Sequence, residues 1–515
     1  MVARIVFSSG MIGLRLLLVS LAGALRGPVS LRMACGDEYG SLQQSMERRG
    51  ASFNDCRIMP CGTGSERSIV ATAAHKKGSV LIRIPRELAV TPESALAYPS
   101  GSCAAEHKEE LGTMDGDLLA LWLLEQDEDS EFLKSLPSVD ELQHLPVFWS
   151  AADATLLEHS DVGRGLKRRR ERDAEFDEAL RRRSPYYDGL CDRAKWAWAK
   201  TIVNSRAFTM PAEGAPLLPG AAVGEGDLDD SHEETSRSVL IPVADMLNHL
   251  SKADGTSCDW GVERLEGDAI GDFVVRARRD VDPGEISISY GTLSAAVSLL
   301  NYGFLSDSHD AASSCDAATL SVTLDDDAFP AKTKLWLRDE GRYDPNWKDR
   351  ERRVRVGFAD PSSGKTLLAL LRVAVASKGE IDMLVELDAQ NKRCAATLAQ
   401  TPLTWRNERA AVALLDRLAS AAVDGRACLG AQFLSRNVNE RHAAMAAKVE
   451  TDILQHWQTL AKRAAYVLDL ADDADDAPGA FDVGMFYPDF LDRMLNSASC
   501  FPKYALPRKF SLATS

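Results

Sequence analysis

The sequence predicts an α+β protein in which a β-rich region is split by a helical insert and then followed by a helical region. Three observations predict it. β-Branched, apolar runs punctuated by Pro and Gly lie at Val80–Ile84 and again within residues 239–290. The stretch between them carries helical spacing instead, with Leu118, Leu119, Leu121, Trp122 and Leu124 uninterrupted by Gly or Pro. Beyond about Asp316 helical texture takes over, and Ala446, Val449, Ile453, Leu454, Trp457 and Leu460 fall on one apolar face.

In chain order, residues 41–90 read as short strands and turns, with Pro85 ending the first strong strand. Helical patterns follow at 153–157 and 172–180, and Trp196, Trp198, Ile202 and Val203 sit on another helix. Residues 211–237 are rich in Gly, Pro and acids and read as an exposed loop. Strand texture returns at 239–241, 273–275 and 286–290, where Ile286-Ser287-Ile288-Ser289-Tyr290 alternates as a half-buried strand does. Asp282-Pro283-Gly284-Glu285 is the turn before it. Residues 472–479 read as a flexible acidic loop, ahead of a short tail.

The chain has 515 residues, 45% hydrophobic and 26% charged, so a sizeable core is expected. The net charge of −16 argues against a phosphate-binding nucleic-acid protein and suits a basic or lysine-bearing protein partner. Ten cysteines occur without a Cys-x-x-Cys pair, which argues against a metal site and leaves reduced, mostly buried thiols. Residues 1–36 hold four arginines, several serines and no acid. They read as a transit peptide, a signal peptide or both in series, with an untargeted extension as the alternative. An organelle is expected, plastid before mitochondrion, with the cytoplasm as the alternative. No segment is apolar enough to be transmembrane, so no membrane partner is expected.

The chain lacks a P-loop, a Gly-x-Ser-x-Gly elbow and a His-Glu-x-x-His helix. What stands out is Pro242-Val243-Ala244-Asp245-Met246-Leu247-Asn248-His249, polar groups in an apolar setting that require hydrogen-bond partners. A satisfied polar turn capping a strand is the plain alternative. Two Tyr-Gly pairs follow, at Tyr290-Gly291 and Tyr302-Gly303, and Gly after Tyr permits positive φ or a close approach. Two ordinary strand-end tyrosines would give the same pattern.

Together these segments resemble the SET-domain protein methyltransferases, in the branch of the Rubisco large-subunit lysine methyltransferases and the related actin-histidine methyltransferase. The resemblance runs over nearly the whole chain after residue 50. It also rests on Ile84-Pro85-Arg86, residues 130–137, Pro146-Val147-Phe148-Trp149, Ser205-Arg206-Ala207-Phe208, Pro283-Gly284-Glu285 and Tyr302-Gly303-Phe304. It implies a SET-domain β-fold with a pseudoknot and a helical insert, followed by an all-α C-terminal substrate-binding domain. The expected boundaries are 1–36 for targeting, 50–312 for the SET domain with its insert at about 95–205, 313–470 for the helical domain, and 471–515 for the acidic loop and tail.

The resemblance further implies S-adenosyl-L-methionine as cofactor. Tyr290 is then catalytic, with Tyr302 beside it. Asn248, His249, Arg206, Asp245, Tyr290 and Phe304 hold or frame the cofactor. Phe208, Ala244 and Tyr302 line the substrate channel, and the types at 208 and 244 match the lysine branch. The family's Gly-x-Gly-Leu-x-Ala loop falls on residues 66–71, where neither glycine is present. Ser65, Glu66 and Arg67 are expected to meet the cofactor in its place, with Gly62-Thr63-Gly64 just upstream as the alternative. Where the family tends to have Ser-Asn, this chain has Ser294-Ala295.

The expected activity is methyl transfer to lysine in a non-histone protein, with Rubisco large subunit or aldolase as candidates. Histidine methylation and a non-catalytic interaction module are the alternatives. A monomer is expected. The basic run 167–172 reads as a solvated helix face, and Asp325-Asp326-Asp327 as a surface turn.

Overall fold

The structure is a computed structural model. It describes residues 39–60, 67–211, 236–251, 255–264, 270–305, 315–325, 330–337, 350–358, 360–391, 399–426, 435, 437–472 and 483–496. The expected targeting segment, Ser65, Glu66, Asp326, Asp327 and nearly all of the acidic loop at 472–479 lie outside the described residues.

The β-rich region consists of small sheets. Strands β1 (Ser52–Phe53), β4 (Val80–Ile84), β8 (Cys258–Arg264) and β9 (Ile270–Ala277) form an antiparallel sheet in the order β1-β4-β9-β8. A second sheet joins β2 (Cys56–Pro60), β3 (Arg67–Ala71) and β10 (Gly284–Glu285) in the order β10-β3-β2. Leu81, Ile82 and Ile84 of β4 are fully buried against Phe273 and Val275, as a β-branched central strand requires. The expected loop at 211–237 is narrower than its composition implied. Strands β5 (Phe208–Pro211) and β6 (Ser236–Val239) pair antiparallel across it, with Phe208 opposite Val239.

One pairing differs in kind. Strand β7 (Asn248–His249) runs parallel to β11 (Ser287–Ile288), with Ser287 opposite Asn248 and Ile288 opposite His249. A parallel pair needs a long connection. Here 37 residues separate Asn248 from Glu285, which its side chain reaches.

The insert is built on capped helices. Ser160 caps helix Asp161–Arg183 by accepting from the Gly163 amide, and Asp192 caps Arg193–Arg206 by accepting from Lys195. Buried Asp117, in helix Asp115–Leu124, pins both. Its carboxylate takes Lys200 Nζ at 2.6 Å and Arg172 Nη1 at 2.8 Å.

The C-terminal region departs from the all-α expectation. Strands β12 (Ala318–Thr323) and β13 (Glu351–Val356) form a two-stranded antiparallel sheet before the helices begin in earnest. Ala318, Leu320 and Val322 alternate with Thr319, Ser321 and Thr323, so one face is buried on helix Pro361–Val375 and its neighbours. Helices Trp405–Asp424 and Val438–Asp472 complete a second core around Trp336, Trp457 and Leu454. Leu299 and Leu300 belong to this second core, whereas Ile286 and Ile288 belong to the first. The segment carrying both Tyr-Gly pairs therefore crosses the seam between them.

Candidate cofactor and substrate site

The turn after β6 sets the site. Val243 has φ +74 and ψ −48, and it is fully buried. For a β-branched residue this is a strained conformation, costing on the order of 1–3 kcal/mol. It turns the chain so that Ala244–Met246 form a short 3₁₀ turn and Asp245 points inward. Asp245 receives Arg206 Nη1 twice, at its backbone oxygen (2.9 Å) and at Oδ2 (3.1 Å). Its Oδ1 is buried and has no hydrogen-bond partner among the described residues. Burial pushes the Asp245 carboxyl up, against the pull of the Arg206 and Arg67 charges.

Asn248 ties three strands. Its Nδ2 donates to Arg67 O (3.2 Å) on β3 and to Glu285 Oε1 (2.8 Å) on β10. His249 Nδ1 accepts from the Tyr290 amide at 3.0 Å. A backbone N–H can only donate, so a neutral His249 carries its proton on Nε2.

Four rings gather here. Tyr290 lies 5.1 Å from His249 and 4.9 Å from Tyr302, centroid to centroid, and Phe304 lies 5.9 Å from His249 and 6.0 Å from Tyr302. The Tyr290 hydroxyl donates to Leu247 O at 2.6 Å. Its phenol is pushed up by burial first and by Tyr302 second, and burial raises Tyr302 as well. Both stay protonated across the neutral range.

The glycines after the tyrosines are required. Gly291 has φ +101 and Gly303 φ +72, and a Cβ on Gly303 would stand 2.2 Å from His144 Cδ2. Tyr302 closes a five-residue π-helical turn, Ser298–Tyr302. Ala295, where the resemblance would place an Asn, is held by its backbone, since its amide donates to Asp316 Oδ1 at 2.7 Å.

The remaining expected residues sit as follows. Ala244 is fully buried beneath the turn. Phe208 packs edge-on against Trp260 and Phe273, both at 5.1 Å, and Trp260 donates to Ser289 O beside Tyr290. Arg67 is 8% exposed in its side chain. Its guanidinium stands over the Tyr39 ring, donates to the Tyr39 hydroxyl at 2.6 Å and pairs with Glu141 at 3.4 Å.

The basic run 167–172 is solvated in part: Lys167, Arg168, Arg170 and Glu171 are exposed, whereas Arg169 and Arg172 are half-buried. Arg169 donates to Leu300 O and Asn301 Oδ1, Arg170 reaches Pro146 O and Val147 O, and Arg172 holds Asp117. A guanidinium on an amphipathic helix gives no local sign of a partner more than a hundred residues away, so the solvated-face reading missed the contacts of Arg169. His144, Asn301 and Glu285 were likewise not expected among the site residues, since their contacts are with distant segments.

No family model and no curated protein matches the chain. Solved structures do. The SET domain of LSMT bound to lysine and AdoHcy superposes with a TM-score of 0.62 at 17% identity, covering 84% of this chain and 92% of that one. The same domain bound to methyl-lysine and AdoHcy gives 0.63 at 16% identity, covering 88% and 100%. Rubisco LSMT bound to AdoMet gives 0.62 at 16%, again covering 88% and 100%. Over most of its length the chain has the SET-domain fold of the Rubisco LSMT structures.

Proposed function

We propose that this chain transfers a methyl group from S-adenosyl-L-methionine to a lysine side-chain amine in a non-histone protein. The observation that carries the reading is the aromatic enclosure of Tyr290, Tyr302, Phe304 and His249 beside the half-satisfied Asp245–Arg206 pair. The residues fit the cofactor. A buried carboxylate oxygen without a partner is costly unless a ligand donor meets it, and Asp245 Oδ1 is such an atom. Solved LSMT structures that share this fold hold AdoHcy in one case and AdoMet in another.

When bound, the cofactor supplies an electrophilic methyl on a sulfonium. Asn248, His249, Asp245 and Phe304 would hold it, and strands β7 and β11 fix the first two against Tyr290. An incoming lysine must lose its proton, and the enclosure of Tyr290 and Tyr302 disfavours the ammonium by desolvation. Tyr290 has spent its only donor on Leu247 O, so its oxygen offers acceptor capacity alone. It orients the amine N–H and places the nitrogen lone pair toward the methyl, an alignment effect rather than proton abstraction. The raised phenol rules against Tyr290 as a phenolate base, and the lysine proton leaves to solvent.

Two measurements test the reading. Calorimetry should show AdoMet binding at micromolar concentration. Incubation with methyl-labelled AdoMet and a soluble lysate, followed by mass-spectrometric mapping, should place the label on lysine. Rubisco large subunit and aldolase are the first purified acceptors to try, given the N-terminal composition. No binding at high micromolar AdoMet sinks the proposal, and label on histidine replaces it with the histidine reading.

A further inference from the structure

We infer that Arg169 is a positioning residue for Tyr302, holding the π-helical turn that presents this ring to the site. The inference rests on the proposed function for its catalytic consequence but not for its structural content.

The turn Ser298–Tyr302 ends at Gly303, in the left-handed region. Its last carbonyls lack a continuing helix to accept from, as at any helix C-terminus. Arg169 fills that need from a distant part of the chain. Its Nη1 donates to Leu300 O at 3.2 Å and its Nη2 to Asn301 Oδ1. The side chain is half-buried, and no carboxylate accepts a hydrogen bond from it among the described residues, Asp173 acting on it through charge alone. A half-buried cation that donates only to neutral acceptors is placed favourably at the negative end of a helical turn, and its position is informative about what it holds.

The approach is prepared on both sides. Gly165, one turn before Arg169, faces the same segment, and a Cβ there would stand 3.0 Å from Leu300 Cδ2. Arg170 reaches the other wall, donating to Pro146 O at 3.2 Å and Val147 O at 3.0 Å. That wall carries His144, whose ring fills the space where a Gly303 side chain would be. Two consecutive arginines therefore hold the turn that ends in Tyr302 and the segment that carries His144.

The helix that bears them is itself fixed. Its first amide, at Asp161, donates to Glu450 Oε1 at 2.7 Å, and its middle is held by Arg172 on Asp117. π-Helical turns are commonly found at functional sites and are easily lost to a regular turn. Reverting Ser298–Tyr302 to α-helical register would rotate Tyr302 away from Tyr290, which it now meets at 4.9 Å.

The test is Arg169→Met in the full chain, with Asn301→Ala as the second variant should the first fail to fold. Phenol ionisation is followed by ultraviolet difference absorption between pH 7 and 12. We expect either variant to expose one tyrosine that titrates early, and Tyr302→Phe in the same background to abolish that early step. AdoMet affinity by calorimetry should stay within about twofold of the parent. Label incorporation into lysate protein at saturating AdoMet should fall at least tenfold. A titration curve and an incorporation rate equal to the parent's in a folded variant overturn the inference. If the parent itself binds no AdoMet, the proposed function fails, while the tyrosine titration still decides the role of Arg169.

Discussion

Two of the arginine–carboxylate pairs, one in each region, differ in completeness. In the helical region, Arg372 and Glu408 are 1% and 0% exposed and meet twice, Nε to Oε2 at 2.5 Å and Nη2 to Oε1 at 2.8 Å. Arg372 also donates to Ala399 O and Gln400 O, and the Tyr487 hydroxyl donates to Glu408. In the β-rich region, Arg206 offers one nitrogen to Asp245, one carboxylate oxygen is left over, and the nearby Tyr290 hydroxyl goes to a backbone carbonyl. A saturated pair specifies packing, whereas an open one holds back bonding capacity for something that arrives later.

Each substitution below tests that contrast. Glu408→Ala should destabilise most, by about 3–5 kcal/mol, because it strands a buried guanidinium. Chemical denaturation measures it, and a loss under 1 kcal/mol would show the pair to be redundant. Tyr290→Phe should lower methyl transfer by roughly a hundredfold, about 2.7 kcal/mol of barrier. Its stability cost should be near 1 kcal/mol, for the orphaned Leu247 carbonyl. Full activity in the folded variant would remove Tyr290 from the mechanism. Asp245→Asn should change stability by less than about 1 kcal/mol, since the open pair contributes little, yet weaken AdoMet binding or turnover about tenfold. If stability collapses while binding holds, Asp245 is structural after all.

The smallest effect lies at the seam between the regions. Glu450 of the long helix accepts from Arg426 and from the Asp161 amide, and Asp316, Arg355 and Ser294 line the same crevice. Burial first, then the Asp161 charge, lift its carboxyl to about 7. The unfolded value is near 4.3. Between those limits the native state binds the extra proton, so this group's contribution is greatest at the acid end and declines as pH rises toward 7. Glu450→Gln should flatten that slope between pH 4.5 and 7 in thermal melts, and an unchanged slope would place the titration elsewhere.

Legibility in the sequence followed range of interaction. Strands β4 and β9 were readable because their own residues carry the apolar pattern. Tyr290, Tyr302, Asn248 and His249 were readable because Gly and Pro punctuate their turns, and the structure gathers them with Phe304 in one place. The sheet of β12 and β13 was missed, although Ala318–Thr323 alternates. Its partner lies 28 residues on, past a helix, and each strand alone is a weak signal. Arg169 was misread because its partners are Leu300 and Asn301.

By itself the sequence determined which residues could form the site and which local turns they needed. Period-2 and period-3.6 patterns, glycines at positive φ and helix caps are properties of neighbouring residues. Only the tertiary structure decided how those residues meet. It set β7 parallel to β11, left Asp245 Oδ1 open, and brought Arg169 from the insert onto the turn of Tyr302. Each of these is a long-range contact, chosen by the burial of two cores and the demand that buried polar groups find partners. Local chemistry proposes such contacts, and only the packed chain selects among them.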